Sequence, residues 1–179
     1  MASFLEAFEK TIENEGGYKV HFDKDDPGEL TVAGVTMKYH PLWFGWKVLD
    51  SEGANSVLLY QAVKSFYRKN FWDKMKGYKI ENQKVAESIF DFSVNAGIYG
   101  AVSIAQKIIK TKVDGLIGPV TLGILNDYDS EKFLAVYGIA KIKHYLKLID
   151  NNKKLKKFLR GWINRVVKGV PNVQFFQST

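Results

Sequence analysis

Apolar side chains recur at three- and four-residue steps over most of this 179-residue chain, which predicts a protein built mainly from α-helices. In the first such stretch, SFLEAFEKTIENE, the apolar positions that share one face are Phe4, Phe8 and Ile12. Ser3 and Glu6 stand at capping-box spacing at its start, and Gly16 and Gly17 follow its end. The pattern therefore predicts a first helix of about three turns.

Seven further segments carry a helical period. They cover residues 41–49, 56–72, 82–96, 100–111, 119–127, 130–150 and 153–167. Residues 18–36 lack this period and contain the turn-forming run Asp25-Asp26-Pro27-Gly28 before a short apolar stretch. The predicted fold is thus mainly α, with one small irregular or β-hairpin segment near the N-terminus.

Composition narrows the class of protein. Hydrophobic residues make up 46% of the chain, enough for a sizeable core, and no run approaches the roughly 20 apolar residues of a membrane helix. Cysteine is absent and the three histidines are scattered, so neither a disulfide framework nor a metal site is expected. Without repeats or a low-complexity linker, a single compact monomer without stable membrane insertion is expected.

The early charged residues are unlike a signal peptide, so we expect synthesis in the cytoplasm and export through a separate pore or holin.

Charge is uneven along the chain. Residues 1–90 carry a net charge of −1, whereas residues 91–179 carry +8. This asymmetry favours a polyanionic partner near the C-terminal half, and nucleic acid, anionic lipid and bacterial cell wall all have that character.

Glu15 is the acidic residue with the most unusual position, because it ends the first predicted helix and two glycines turn the chain away from it. A carboxylate there opposes the helix dipole by only about 0.3–1 kcal/mol, so a general acid would also need apolar surroundings. The aromatic residues expected to supply them are Tyr18, Phe22, Trp43 and Trp46. The alternative is an ordinary exposed glutamate beside a helix cap.

Four acidic residues fall between Asp23 and Glu29. An EF-hand calcium loop is excluded because Pro27 occupies the fifth ligand position and Gly34 stands where the closing glutamate belongs. The turn would instead bring acids back opposite Glu15, and two carboxylates across a cleft are the arrangement of glycoside hydrolysis. A solvated turn is the other interpretation.

Five segments form an ordered set along the chain. They are Glu15-Gly16-Gly17-Tyr18 with Asp25-Asp26-Pro27-Gly28 and Thr31-x-x-Gly34-Val35-Thr36; Asn70-Phe71-Trp72; Asp91-x-x-x-Asn95-x-Gly97; Asp114-Gly115-x-x-Gly118-Pro119-x-Thr121-Leu122; and Gly161-Trp162-x-x-Arg165. The set spans roughly residues 8–166 and resembles the glycoside hydrolase family 108 lysozymes, whose C-terminal part is a type 3 peptidoglycan-binding region. The sequence departs from the family pattern at Glu29, Leu30, Val32 and Ala33.

The resemblance implies a lysozyme-like helical fold and a muramidase, which cleaves the β-1,4 bond between N-acetylmuramic acid and N-acetylglucosamine. It implies that Glu15 is the proton donor and that Asp26, with Thr31 or Thr36, holds the nucleophilic water. It also implies substrate contacts from Tyr18, Asn95, Asp114 and Thr121. No cofactor is implied, and the expected partner is peptidoglycan.

The resemblance further implies a catalytic region at residues 1–97 and a peptidoglycan-binding-like helical region at 98–179, packed into one unit. Two alternatives remain: a lytic transglycosylase, in which the muramyl 6-hydroxyl attacks instead of water, and a non-catalytic wall-binding module. Nucleic-acid binding is not expected, because helix-turn-helix, RNP and zinc-finger signatures are not evident. A phage endolysin and a bacterial homologue both fit these features.

Overall fold

The computed structural model describes residues 1–21 and 30–170. Over these ranges the protein has seven α-helices and a three-stranded antiparallel sheet, which confirms the predicted mainly α, lysozyme-like fold. The helices are α1 (Phe4–Asn14), α2 (Gly45–Glu52), α3 (Val57–Tyr67), α4 (Gln83–Ile108), α5 (Pro119–Asp127), α6 (Ser130–Asn151) and α7 (Leu159–Lys168). The strands are β1 (Val20–His21), β2 (Thr31–Val32) and β3 (Val35–Thr36). None of the described helices is long and apolar enough to cross a membrane.

The start of α1 is anchored to the start of α4. Ser3 Oγ accepts a hydrogen bond from the backbone N–H of Glu6 at 3.4 Å, as the capping-box spacing predicts. The backbone N–H of Ser3 donates a hydrogen bond to Gln83 Oε1 at 2.6 Å. In a full capping box the Glu6 side chain would accept this hydrogen bond. A residue 80 positions away therefore completes the cap and ties the two helices together.

The small sheet has the order β1-β2-β3, and a two-residue turn at Ala33 and Gly34 joins β2 to β3. Both turn residues have positive φ, 46° and 79°, which is the conformation of a type I′ hairpin turn. Val32 and Val35 are paired across the ladder and are both buried in the core. The predicted hairpin is confirmed, and its apolar pair attaches it to the rest of the fold.

Helix α4 is the central element of the protein. It merges the two predicted helices at 82–96 and 100–111, but its axis breaks at Gly97, where φ is 77° and ψ is 155°. Phe90 and Phe92 lie on different sides of it and enter two aromatic clusters. The first cluster has ring centroids 5.5–6.4 Å apart and consists of Phe4, Phe8, Tyr67, Trp72 and Phe90.

The second cluster connects α4 to α6 and α7. The Phe92 ring lies 5.9 Å from the rings of both Tyr137 and Tyr145. Trp162 of α7 stacks on Tyr145 at 4.7 Å with an interplanar angle of 15°. Trp162 is therefore a packing residue, in agreement with its position on the predicted apolar stripe, and this stacking fixes the position of α7 relative to α6.

Two predicted helices differ from the structure at their starts. The helix predicted at 41–49 begins only at Gly45, because the preceding residues form turns held by a 2.7 Å hydrogen bond from Trp46 Nε1 to His40 O. The helix predicted at 153–167 begins as a 3₁₀ segment over Lys153–Phe158. Asn152 causes this change, since its extended backbone ends α6 and its side chain caps the new segment.

Lys141 of α6 is buried, with only 5% of its surface exposed. Its Nζ donates to Ser88 Oγ at 2.7 Å and lies 4.9 Å from the centroid of the Tyr137 ring. Burial lowers the pKa of this lysine from 10.5 to about 8, and the neighbouring charge of Asp91 only partly opposes that effect. The folded state thus holds the charged form of Lys141 at a cost in free energy.

This cost predicts a pH dependence of stability. Between pH 8 and 10.5 the unfolded chain binds the proton of Lys141 more strongly than the folded chain, so the free energy of unfolding rises with pH in this window. From pH 7.5 to 9.5 the native protein should gain about 2 kcal/mol relative to a Lys141→Met variant, measured by urea denaturation. The same dependence of the free energy of unfolding on pH in both proteins would contradict a lowered pKa of Lys141 in the folded state.

Candidate active site

Glu15 lies at the C-terminal cap of α1 and is followed by two glycines in the left-handed conformation. The N–H of Gly16 donates to Glu13 O at 3.1 Å, and the N–H of Gly17 donates to Ile12 O at 2.9 Å. Residues with a side chain rarely adopt the φ values of these glycines, 89° and 80°. The glycine pair therefore ends the helix and sends the chain towards β1, which leaves Glu15 at a junction between α1 and the sheet.

Arg165 of α7 holds the Glu15 carboxylate. Its Nη1 donates to Glu15 Oε1 at 2.9 Å, across 150 residues of sequence. The two side chains are largely buried, with exposed fractions of 12% for Arg165 and 22% for Glu15. The aromatic neighbour that the structure gives to this carboxylate is Tyr67, which was not among the four residues expected there. Trp43 and Trp46 pack against each other at 4.9 Å, and Phe22 lies outside the described residues.

Asp91 of α4 binds the other side of the same guanidinium. Arg165 Nε donates to Asp91 Oδ2 at 2.9 Å and Nη2 donates to Oδ1 at 2.8 Å, which is a two-pronged contact. Asn14, the residue before Glu15, donates from Nδ2 to Asp91 Oδ1 at 3.1 Å. Helices α1, α4 and α7 therefore meet at one guanidinium, whose orientation is fixed by a planar fork.

The charges of this group are coupled through the low-dielectric interior. Burial by itself lowers the pKa of Arg165, but the hydrogen bonds with Asp91 and the charges of Asp91 and Glu15 outweigh burial and raise it. Arg165 therefore remains a permanent cation between two carboxyl groups. Removing the guanidinium would leave the carboxylates of α1 and α4 without their shared counter-ion, a change that typically costs 3–5 kcal/mol at buried sites.

The turn of the hairpin lies next to the Glu15 carboxylate. A Cβ atom at Gly34 would come within 3.1 Å of Glu15 Oε2 and 2.6 Å of the Tyr67 hydroxyl oxygen. The Tyr67 hydroxyl donates to Ala33 O at 2.8 Å, which fixes the turn. Burial raises the pKa of Tyr67, and the nearby charge of Glu15 raises it further, so Tyr67 is a neutral neighbour. Gly34 is thus needed both for its φ and for the close approach of the carboxylate.

The structure brings together two of the predicted site residues on the sheet. Thr31 and Thr36 are directly paired across β2 and β3, so their side chains lie on the same face of the hairpin. Both are partly exposed. Asp26, the predicted second acid, lies outside the described residues, and its assignment stays a prediction.

Tyr18 and Asn95 make different contacts in the structure. The ring of Tyr18 packs 5.2 Å from the ring of Tyr60, and burial raises the pKa of Tyr18. Asn95 is exposed on α4, one helical turn after Asp91, and donates to the backbone oxygen of Asp91 at 3.1 Å. The predicted substrate contacts of both residues stay predictions.

Asp114 and Thr121 both contact the buried side-chain amide of Gln106. Gln106, which is 0% exposed, donates from Nε2 to Asp114 Oδ1 at 2.8 Å and lies 3.4 Å from Thr121 Oγ1. Its Oε1 accepts from the backbone N–H of Gly115 at 2.8 Å. The hydrogen bond from Gln106 lowers the pKa of Asp114. These contacts give both residues a role in shaping the loop before α5, while their predicted substrate contacts remain untested.

Sequence reasoning assigned no site role to Arg165 or Asp91, although both stand in the segments quoted above. The helical period gave no signal for either residue, since Asp91 shares its helix face with Glu87 and Asn95, and Arg165 shares its face with Gly161 and Lys168. The partners of Arg165, Asp91 and Glu15, lie 74 and 150 residues away from it in sequence, so spacing could not reveal these contacts. Among the described residues, no group of three or more acidic, histidine or cysteine side chains is arranged to hold a metal ion.

Two family models match consecutive parts of the chain. The glycosyl hydrolase 108 family model matches residues 8–97, which contain Glu15, Gly34 and Asp91. The model of a predicted peptidoglycan domain matches residues 100–167, which contain Arg165. The two matches meet close to Gly97, where the axis of α4 breaks. Together they support a hydrolase that acts on peptidoglycan.

A solved structure is similar over the whole chain. SagA of Brucella abortus superposes with a TM-score of 0.70 at 26% sequence identity, and the match covers 98% of this chain and 96% of that chain. No curated protein matches the sequence. The structural similarity extends through both of the family-matched segments.

The position of Arg165 predicts the effect of a conservative change. Arg165→Lys keeps the charge but replaces three used donors with one ammonium, which cannot hold Glu15 and Asp91 in one plane. If Glu15 is the proton donor, kcat for peptidoglycan hydrolysis should fall at least about tenfold with a smaller change in KM, because displacing that carboxyl group slows the reaction. Steady-state release of reducing ends, measured well below the melting temperature of the variant, tests this.

The matched control is Arg160→Lys, which changes an exposed arginine on the same helix. Its kcat should equal that of the native protein. An unchanged kcat in Arg165→Lys would show that the guanidinium does not position Glu15.

Proposed function

We propose that this chain, which belongs to the glycosyl hydrolase 108 family, is an N-acetylmuramidase. Its substrate would be peptidoglycan, and the bond cleaved would be the β-1,4 link between N-acetylmuramic acid and N-acetylglucosamine. The observation that carries the proposal is the fixed carboxyl group of Glu15, held by Arg165 at the junction of α1 and the hairpin. This activity places its site of action in the cell wall.

The geometry supports Glu15 as general acid through one particular oxygen. Oε1 accepts the hydrogen bond from Arg165, whereas Oε2 lies beside Gly34 at the turn of the hairpin. The oxygen that protonates the leaving glycosidic oxygen would therefore be Oε2. Since the side chain is 22% exposed, a bound saccharide can reach it while most of the carboxyl group stays fixed.

A hydrolytic route also needs a group that orients water. Thr31 and Thr36 form a cross-strand pair on one face of the hairpin, and two neighbouring hydroxyl groups can hold a water molecule by donating and accepting hydrogen bonds. With Asp26 as the base, this pair would direct the water to the anomeric carbon. We favour water over the muramyl 6-hydroxyl as nucleophile for this reason.

The products distinguish the proposed reaction from its alternatives. Mass spectrometry of soluble fragments from purified peptidoglycan should show reducing N-acetylmuramic acid ends. Fragments with 1,6-anhydro ends would indicate a lytic transglycosylase instead. Binding to the wall without any soluble fragment would indicate a non-catalytic module.

Replacing the proposed acid should separate catalysis from folding. Glu15→Gln keeps the shape and an oxygen that can accept from Arg165, but it has no acid proton to give. We expect hydrolysis to fall by at least about 10²-fold, because general acid catalysis typically contributes 10²–10⁴-fold. Clearing of permeabilised cells measures the rate, and sedimentation with cell walls measures binding, which should be retained.

Glu6→Gln is the control, since Glu6 is an exposed glutamate on the same helix. It should hydrolyse peptidoglycan at the native rate. More than about a tenth of the native rate in Glu15→Gln would remove Glu15 from the role of proton donor.

A further inference from the structure

A cavity of about 510 Å³ lies beside Asp91 and Arg165, between α1, α4, α6 and α7. One end is formed by Asn14, Asp91 and Arg165, and of these Arg165 holds the Glu15 carboxylate. The other end reaches Ala7, seven residues earlier on α1. At 1.5 Å per helical residue, the cavity follows α1 for about 10 Å away from the proposed cleavage site.

The charges along this cavity are only partly paired with one another. Lys10 is paired with Glu87 at 2.7 Å, and Arg165 is paired with Asp91 and Glu15. Three lysines of the lining have no ion pair to another described residue; they are Lys84, Lys141 and Lys168. Two glutamates of the lining also have no such pair; they are Glu13 and Glu131.

The three lysines differ in their depth. Lys84 and Lys168 are exposed and stand on different helices, α4 and α7, so they can close on a ligand from two sides. Lys141 is only 5% exposed and lies deep in the cavity wall, where its Nζ donates a hydrogen bond to Ser88 Oγ. A ligand that enters this cavity would meet more unpaired positive charge than negative charge, and would meet both signs.

The peptide stem of peptidoglycan, the substrate of the proposed reaction, carries charged groups of both signs. Each N-acetylmuramic acid residue carries a short peptide stem on its lactyl group, with several carboxylates and the amino group of one diamino acid. An extended peptide advances about 3.3–3.6 Å per residue, so a cavity about 10 Å long accommodates three residues. The stem also begins on the sugar whose glycosidic bond Glu15 would protonate.

We propose that this cavity is a subsite for the peptide stem of the muramic acid residue next to the scissile bond, an inference that rests on the proposed muramidase function. Lys84 and Lys168 bind the carboxylates of the stem, and Glu13 or Glu131 binds its amino group. Because Arg165 and Asp91 form the wall between cavity and Glu15, the stem is recognised directly beside the catalytic group.

Binding to a non-hydrolysing form of the protein tests this without requiring catalysis. In a Glu15→Gln background, titration calorimetry compares purified glycan strands that carry stems with the same strands after an amidase has removed them. We expect stem-bearing strands to bind at least about tenfold more tightly, since charge-assisted hydrogen bonds contribute to one substrate only. The double change Lys84→Gln and Lys168→Gln should abolish most of this difference and leave the affinity for stem-free strands unchanged.

The control removes the same charge elsewhere, through Lys143→Gln with Lys147→Gln on the exposed surface of α6. It should retain the tenfold preference. Equal affinity for both kinds of strand in the Glu15→Gln protein would overturn the proposal, and so would an equal loss on both kinds after the Lys84 and Lys168 changes. Hydrolysis of stem-free strands by the native protein reports separately on the muramidase assignment.

Discussion

The shared contact of one buried guanidinium with two carboxylates is the interaction on which the rest of this structure depends. Arg165 comes near the end of the described chain, Glu15 near its start and Asp91 at its middle, so a single side chain joins three distant helices. A buried ion pair adds little net stability, since desolvation offsets much of the attraction, but losing one partner is costly. Its main consequence here is orientation, because the planar fork permits only one arrangement of the two acids.

The packing around this contact explains why the charges can be held so closely. Helix α4 carries Phe90 into one aromatic cluster and Phe92 into the other, and Asp91 stands between them. Trp162 stacks on Tyr145 and sets the position of α7, which places Arg165 one turn later against Asp91. Close packing transmits small displacements rather than absorbing them. A shift in either aromatic cluster would therefore displace the contact of Arg165 with Glu15 and Asp91.

The local features of the fold were the ones that could be predicted from the sequence. The end of α1 at two glycines and the hairpin before residue 36 depend on neighbours in the chain, and both appear as expected. The acid at Glu15 could be singled out because its position at a helix end is unusual. The turn containing Asp26 lies outside the described residues, so its place opposite Glu15 stays a prediction.

The features that could not be predicted depend on distant residues. Gln83 completes the cap of α1 from 80 positions away, and Gln106 folds the loop around Asp114 through a buried amide. Neither glutamine has a distinctive spacing, because its partners lie in other segments of the chain. Arg165 was missed because its partners are also distant in sequence and because the period of its helix indicated an apolar stripe with a solvated basic face.

We propose that Arg165 is a positioning residue that acts in catalysis through Glu15. Residues that act as a unit are strongly non-additive when both are changed. The decisive measurement is therefore the rate of peptidoglycan hydrolysis by Arg165→Lys in two backgrounds, native and Glu15→Gln. We expect a loss of at least about tenfold in the native background and a change of less than about twofold in the Glu15→Gln background. An equal loss in both backgrounds would show that Arg165 contributes independently of Glu15 and would contradict the claim.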